Sequence, residues 1–503
     1  MVIKKLIYIL CFFILLALML ILASCADSSG ADDSNSNNSE ISDSAGDAPP
    51  AGADETETPD FNFIEELPEA DFEGKIFTFL SYGDGTRFTW HAQDIIADED
   101  SGDPMDEAVI ARNRNVEERF GVKINAVFNG SYDSVSKSIN SGDNSFDAVW
   151  LDMNSAGRAA QMGFFLDFNQ LEYINAEKGY WDQSVRRDLS MGGRLYFNTG
   201  DISIVDKRAT WIMMFNKEVL SRYALENPYE LALKGDWTID KFTEMAKGVS
   251  VNLNGTGVWD PSDQYGFVTT NDSIIGFFYS GGETIAAKNR DDMLEFAYAE
   301  GANLAKLHNI SEKTVEIMKN NNITLNSNDL KDSEPWLIVR KAFEENRALF
   351  YAEVLAHVIN MRAVENDFGI IPMPKYNKEQ EHYLTYVNPA ACFLGVPITA
   401  PDTNFVSIII EATAAESSRI LRPAYYDVLL KGKAVRDDES QEMLDLIFQN
   451  RSYDPGLIFN FGNFMSTYVN LLFKGDTNVA SMIESQRARA ESQIDAFNEK
   501  FYE

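Results

Sequence analysis

The stretch NSFDAVWLDMNS, residues 144–155, begins like a buried strand and then changes character. Phe146, Ala148, Val149 and Leu151 are apolar, while Trp150, Asp152 and Asn154 follow at every second position. Side chains alternate along a strand, so positions two apart share a side. An indole beside a carboxylate and an amide suits a polyhydroxylated ligand. The ring lies against C–H patches, and the carboxylate and amide take hydroxyls in pairs. Charged acceptors make the stronger of these bonds. A structural reading competes: Trp150 packs in the core and Asp152 caps the helix that follows. Arg158, one turn into that helix, either joins the set or is an ordinary surface arginine.

The elements that hold these residues follow a pattern. GKIFTFLSYGDG reads as a strand ending near Tyr82 and stopped by glycines, with Trp90 on the loop beyond. DPMDEAVIARNRNVEERFG is a helix with Asp103 as N-cap, Pro104 in first position and Gly121 as stop. VKINAVF is a strand, YDSVSKSINSGD a short helix and FDAVWLD a third strand. Strand–helix–strand repetition predicts an open α/β sheet, and ligands collect beyond the carboxyl ends of such strands. Tyr82, Trp150, Asp152 and Asn154 sit at those ends.

Further on, WTIDKFTEMAKGV is a helix capped by Thr238 and closed by Gly248, and YGFVTTN is extended. IIGFFYSGGETI, which carries Tyr279, reads as a helix end with a glycine turn. PWLIVRKAFEENRALFYAEVL is a helix feeding a strand that ends on Tyr351 and Glu353. A carboxylate after an apolar strand is costly to bury without a partner, so Glu353 is either a ligand contact or half of a salt bridge. The prolines of DFGIIPMPKY place that strand at a sheet edge or exit. CFLGVPITA is a strand, NFVSIIIEATAAES an apolar helix, and residues 419–503 are mostly helical. Tyr279, Trp259, Asn271 and Trp336 read as structural first and ligand contacts second.

Several functions are disfavoured. No HExxH, GxSxG, P-loop or GxGxxG motif occurs, and the four histidines lack metal-ligand spacing. No cofactor is implied and no metal site is expected. Asp98, Asp100 and Asp103 lack the spacing of an EF-hand loop and read as a solvated acidic turn. A net charge of −35 argues against nucleic acid and against adhesion to anionic lipid headgroups.

The N-terminal region locates the protein. Lys4 and Lys5 precede an apolar run from Leu6 to Leu22. Leu22-Ala23-Ser24-Cys25 then resembles the lipobox of bacterial lipoproteins, which implies cleavage before Cys25 and lipidation of its thiol; an uncleaved transmembrane anchor is the alternative. Residues 26–60 have no Lys or Arg and almost no large apolar side chain. That composition predicts a disordered acidic tether. Of three cysteines, only Cys392 remains in the body, where it reads as a buried small hydrophobe. From Phe61 onward the chain is too long for one compact core, so two lobes are expected.

The order of segments resembles the extracellular solute-binding proteins of ABC importers, in the sugar-binding, maltose-binding-protein-like branch. DEAVIARNRNVEERFGVKI, NSGDNSFDAVW, GRLYFNTGD, WIMMFNKEVL, WTIDKFTEMAKG, NRALFYAEV and DFGIIPMPKY carry the resemblance in sequence. It implies an α/β fold of two lobes, each an open sheet flanked by helices, joined by a hinge. Lobe 1 would span 61–205 plus 388–435, and lobe 2 206–387 plus 436–503. Extra length relative to the family implies an insertion near residues 293–330. The hinge crossings would fall in ISIVDKRATW, flanked by Asp206 and Trp211, and near TYVNPAA, with Asn388 and Tyr386. Family members bring ligand-contacting groups to the position of Tyr351 and Glu353. The function implied is a non-enzymatic, monomeric receptor, lipid-anchored at the extracellular face. It would capture a carbohydrate, by the resemblance an oligosaccharide, and deliver it to an ABC permease. A surface glycoside hydrolase with paired carboxylates, or a receptor for peptides or another polar solute, are the alternatives.

Overall fold

In a computed structural model of the chain, the described residues are 66–83, 94–99, 101–299, 301, 303–361, 366–430 and 438–502. Cys25, the tether and Trp90 lie outside them, so those expectations are not addressed by the fold.

Thirteen strands occur among the described residues: β1 Lys75–Tyr82, β2 Val122–Gly130, β3 Ala148–Asp152, β4 Trp211–Asn216, β5 Tyr265–Thr269, β6 Ala286–Lys288, β7 Leu294–Phe296, β8 Thr324–Asn326, β9 Ala348–Val354, β10 Phe368–Ile371, β11 Thr385–Tyr386, β12 Cys392–Gly395 and β13 Arg451–Ser452. The first sheet has the order β12-β3-β1-β2, and the second β10-β4-β9-β5-β8. In the first, β1 runs parallel to β2 and β3, and β12 is antiparallel to β3. In the second, β5 runs parallel to β8 and β9, while β4 is antiparallel to β9 and β10. The sheets are separate, yet Pro59–Glu503 forms one compact unit. The residues of the implied insertion supply β7, β8 and the helix Leu304–Met318, and β8 forms the rim of the second sheet.

Local chemistry accounts for the helices. Asp103 accepts from the Met105 N–H, Pro104 opens the helix Pro104–Phe120, and Gly121 ends it at φ 56°. Asp103 thus serves as the helix cap the sequence predicts. Thr238 caps Ile239–Val249 through the Lys241 N–H. That helix runs one residue past Gly248, the expected stop, and its cap is Ser250 in an extended conformation. The Val249 side chain is buried there, and its packing outweighs the small cost of an internal glycine.

Aromatic packing sets the strand directions. Phe405, on the helix Thr403–Arg419, lies 5.6 Å from Phe77 of β1 and 4.7 Å from Phe72. Phe242 lies 5.1 Å from both Phe267 of β5 and Phe350 of β9. These contacts fix neighbouring strands whose carboxyl ends lead into Asp272 and Glu353. The strand β10, followed by Pro372 and Pro374, lies at a sheet edge as its prolines predict. The helix Asp438–Gln449 packs against it. The Cys392 thiol is buried within β12.

Candidate functional site

The segment 386–391 ties the carboxyl ends of the two sheets together. On one side, the Met153 N–H lies 3.0 Å from both the Pro389 and the Ala391 carbonyl oxygens, and Cys392 stands opposite Asp152. On the other, the Asn388 N–H donates to the Ala209 carbonyl at 3.0 Å and Val387 bridges Thr210. The Thr210 carbonyl in turn accepts from the Leu355 N–H at 2.9 Å, just past the end of β9. Strand ends from both sheets therefore meet along one short ribbon.

On the first sheet's side stand Tyr82 and Asp152, both half-buried. Burial pushes the Tyr82 hydroxyl up, with Asp152 and Cys392 adding to it. Asp152 ends β3 and caps the helix Met153–Gln161, accepting from the Ser155 N–H at 3.0 Å. Asn154 lies inside that helix, so strand alternation does not extend to it. Its amide donates to the Leu457 and Ile458 carbonyls at 2.9 and 3.1 Å. The Arg158 guanidinium lies 3.7 Å over the Tyr132 ring and is exposed.

On the second sheet's side, Glu353 and Asp272 approach one another. Val268 of β5 stands opposite Tyr351 of β9, which brings the two residue pairs beyond these positions side by side. Burial, and secondly Glu353, push the Asp272 carboxyl up to about 6. Glu353 accepts from the Val354 N–H at 2.9 Å, and His357 Nδ1 lies 3.4 Å from its second oxygen. The Tyr351 hydroxyl is pushed well above its usual range by burial, then by the Glu353 charge. Between the sheets, Tyr386 stacks on Tyr279 with centroids 5.5 Å apart and planes 10° apart, and Trp211 lies 6.3 Å away. Tyr279 donates its hydroxyl to Asp454 at 3.0 Å.

Four candidates, Trp150, Asp206, Trp211 and Tyr351, sit deeper than expected. Trp150 is fully enclosed in the first sheet's core, with its indole N–H unpartnered. The four residues Ala148–Leu151 are all buried, so an alternate position on β3 faces packing on either side. Asp206 is also fully buried, and it is paired with Arg451 at 2.6 Å and Lys207 at 3.6 Å. Burial raises its carboxyl, against the pull of Lys207 and Arg451. Trp211 and Tyr351 are buried too and act as walls behind Tyr386 and Glu353 rather than as surfaces. Of the secondary candidates, Asn271 accepts from Asn326 at 2.8 Å, Trp259 packs 5.4 Å from Tyr265, and Trp336 is exposed. Asn388 is half-buried and its side chain accepts from the Ala390 N–H.

Sequence reading missed Asp272 and His357. Asp272 follows directly on the strand YGFVTTN, and the strand-end argument that selected Asp152 selects it equally.

The sequence profile of the bacterial extracellular solute-binding protein family matches residues 97–398. The chain belongs to this family. The solute-binding protein is accordingly a receptor of the ABC-importer type rather than an enzyme. Similar folds include the M. tuberculosis protein UspC (TM-score 0.53, 13% identity, 83% of this chain and 100% of that one). A Thermotoga lettingae solute-binding protein bound with alpha-D-tagatose matches with TM-score 0.52 at 13% identity, over 84% of this chain and 100% of that one. An ABC substrate-binding protein of Listeria monocytogenes, in complex with cycloalternan, matches with TM-score 0.51 at 13% identity, over 85% and 98%. Such identities speak to the fold alone. No curated protein sequence matches the solute-binding protein. No described helix is long and apolar enough to cross a membrane.

Proposed function

We propose that this protein captures a carbohydrate between two lobes and passes it to an ABC permease. The lobes are 61–205 plus 388–435, and 206–387 plus 436–503. The observation that carries this reading is the convergence of Tyr82, Asp152, Asn388, Asp272 and Glu353 on the ribbon 386–391. Carboxylates, an amide and phenols together supply the acceptors, donors and flat rings that a polyol requires. The ligands named for two similar folds, cycloalternan and alpha-D-tagatose, are saccharides and support the same reading. Ligand stabilises the closed arrangement of the lobes, and the permease reads that arrangement. Cys25 carries the lipid, and the tether 26–60 holds the body off the membrane at the extracellular face.

The test is calorimetric titration of the mature protein against a panel of mono- and oligosaccharides, with chromatography of the mixtures for cleavage products. A micromolar dissociation constant, about −8 kcal/mol, without turnover is the expected result. Binding of peptides but of no saccharide, or turnover of any glycan, would overturn the reading.

A further inference from the structure

The C-terminal segment sets a short helix, Pro455–Ile458, between residues assigned to the two proposed lobes. One side of it is fixed to the second lobe. Asp454 caps it through the Gly456 N–H at 2.7 Å. The same carboxylate accepts from the Ile285 and Ala286 N–H groups at 2.7 and 3.2 Å and from the Tyr279 hydroxyl at 3.0 Å. A Cβ on Gly456 would run into the Ile285 side chain. Freeing so well satisfied a buried carboxylate strands all of its donors. The short helix therefore moves with Tyr279 and Ile285, not alone.

The other side meets the first lobe. The exposed Asn154, on the helix Met153–Gln161, donates its amide to the Leu457 and Ile458 carbonyls at 2.9 and 3.1 Å. Helix-end carbonyls have no partner within their own helix, and Asn154 supplies one. Gly157 lets the two backbones close up at the same place. A Cβ there would stand 3.0 Å from Ile458 Cγ2 and 3.1 Å from the Ile458 carbonyl oxygen and the Phe459 ring. The hairpin β6–β7 extends the contact. Lys288 Nζ donates to the Arg187 carbonyl at 2.9 Å, and Asp292 accepts from the Gly192 N–H at 2.8 Å. Asn154, Lys288 and Asp292 all reach solvent. Water takes over their bonds when they part, so this contact can break and reform.

Resting on the two-lobe reading, we infer that the helix Pro455–Ile458 and the hairpin β6–β7 form a clasp. It is carried by the second lobe, docks on the first, and holds them together through the chain's own atoms. The clasp favours the closed arrangement in the free receptor. Ligand entry then requires the clasp to open, and the saccharide reinforces a closure that the protein already prefers.

The experiment measures lobe separation by double electron–electron resonance in the mature chain carrying Cys25→Ala, with no sugar added. Spin labels go on Lys137→Cys and Ala305→Cys, which are exposed positions on the helices Tyr132–Ser141 and Leu304–Met318. The remaining thiol, Cys392, is buried. The otherwise unsubstituted protein should show mainly one short separation. Asn154→Ala combined with Lys288→Ala removes bonds from both parts of the clasp and should raise a longer-separation population about tenfold. Gly157→Leu pushes the short helix away and should act in the same direction, while leucine favours its own helix over glycine. Circular dichroism checks that each variant folds. One unchanged separation in both variants would overturn the clasp and leave the carbohydrate reading standing. Free protein already spread evenly over both separations would overturn it as well. No sugar enters this measurement, so failure of every saccharide in titration would sink the carbohydrate reading and not the clasp.

Discussion

Arg451 of β13 lies 2.6 Å from Asp206 and 2.8 Å from Asp182, at a place where all three side chains are nearly closed to solvent. A residue from the C-terminal segment thus neutralises a carboxylate more than two hundred positions earlier in the chain. It does so beside the segment through which the chain first passes between the sheets. Replacing one partner of a buried ion pair strands the other, which costs about 3–5 kcal/mol. Arg451→Met should therefore lower the urea midpoint strongly. Adding Asp206→Asn to it should recover part of the loss, and two additive losses would mean that the pair does not act as a unit.

Asp152 and Trp150 separate binding from stability. Asp152→Ala removes a helix cap worth about 1 kcal/mol. It also removes a proposed hydroxyl acceptor, so saccharide affinity should fall at least about tenfold while the fold survives. Trp150→Ala opens a core cavity and should cost about 3–5 kcal/mol, with no selective effect on binding by whatever remains folded. Denaturation curves and calorimetry on both variants test this. The reverse pattern would return Trp150 to the site and remove Asp152 from it.

Asp272 gives a pH signature. In the fold it holds its proton up to about 6, against 3.8 for an ordinary carboxyl. Between those values the folded chain binds more protons than the unfolded chain. Stability therefore falls as pH rises from about 4 to about 6, by on the order of 2 kcal/mol from this group. Asp272→Asn lacks the group and should lose that part of the slope. Urea midpoints of both proteins across this window give the comparison, and parallel curves would contradict it.

The proposed lipid anchor has its own test. Cys25→Ala should abolish incorporation of labelled fatty acid and shift the protein out of the membrane fraction of cells that express it. Labelling that persists in the variant would place the modification elsewhere.

Much of the fold was legible because its signals are local. Asp103, Thr238 and Gly121 mark helix ends through bonds within three or four residues, and the prolines after β10 mark an edge. The site was less legible, for a physical reason visible at Trp150. Alternation tells which side chains share a side, but not whether that side meets solvent or a packed helix. In a sheet covered on both faces, an indole near a strand end is core. Asp206 failed in a different way: its partner Arg451 is remote in sequence, and no local pattern announces an ion pair of that span. Glu353 and Asp272 were separable only once β5 and β9 were known to be neighbours.

The rim strand β10 has a consequence for contact between copies of the protein. The helix Asp438–Gln449 packs against it, and Pro372 and Pro374 withhold amide hydrogens just where pairing would continue. A pairing row as short as Phe368–Ile371 gives a neighbouring copy little on which to zip at this rim.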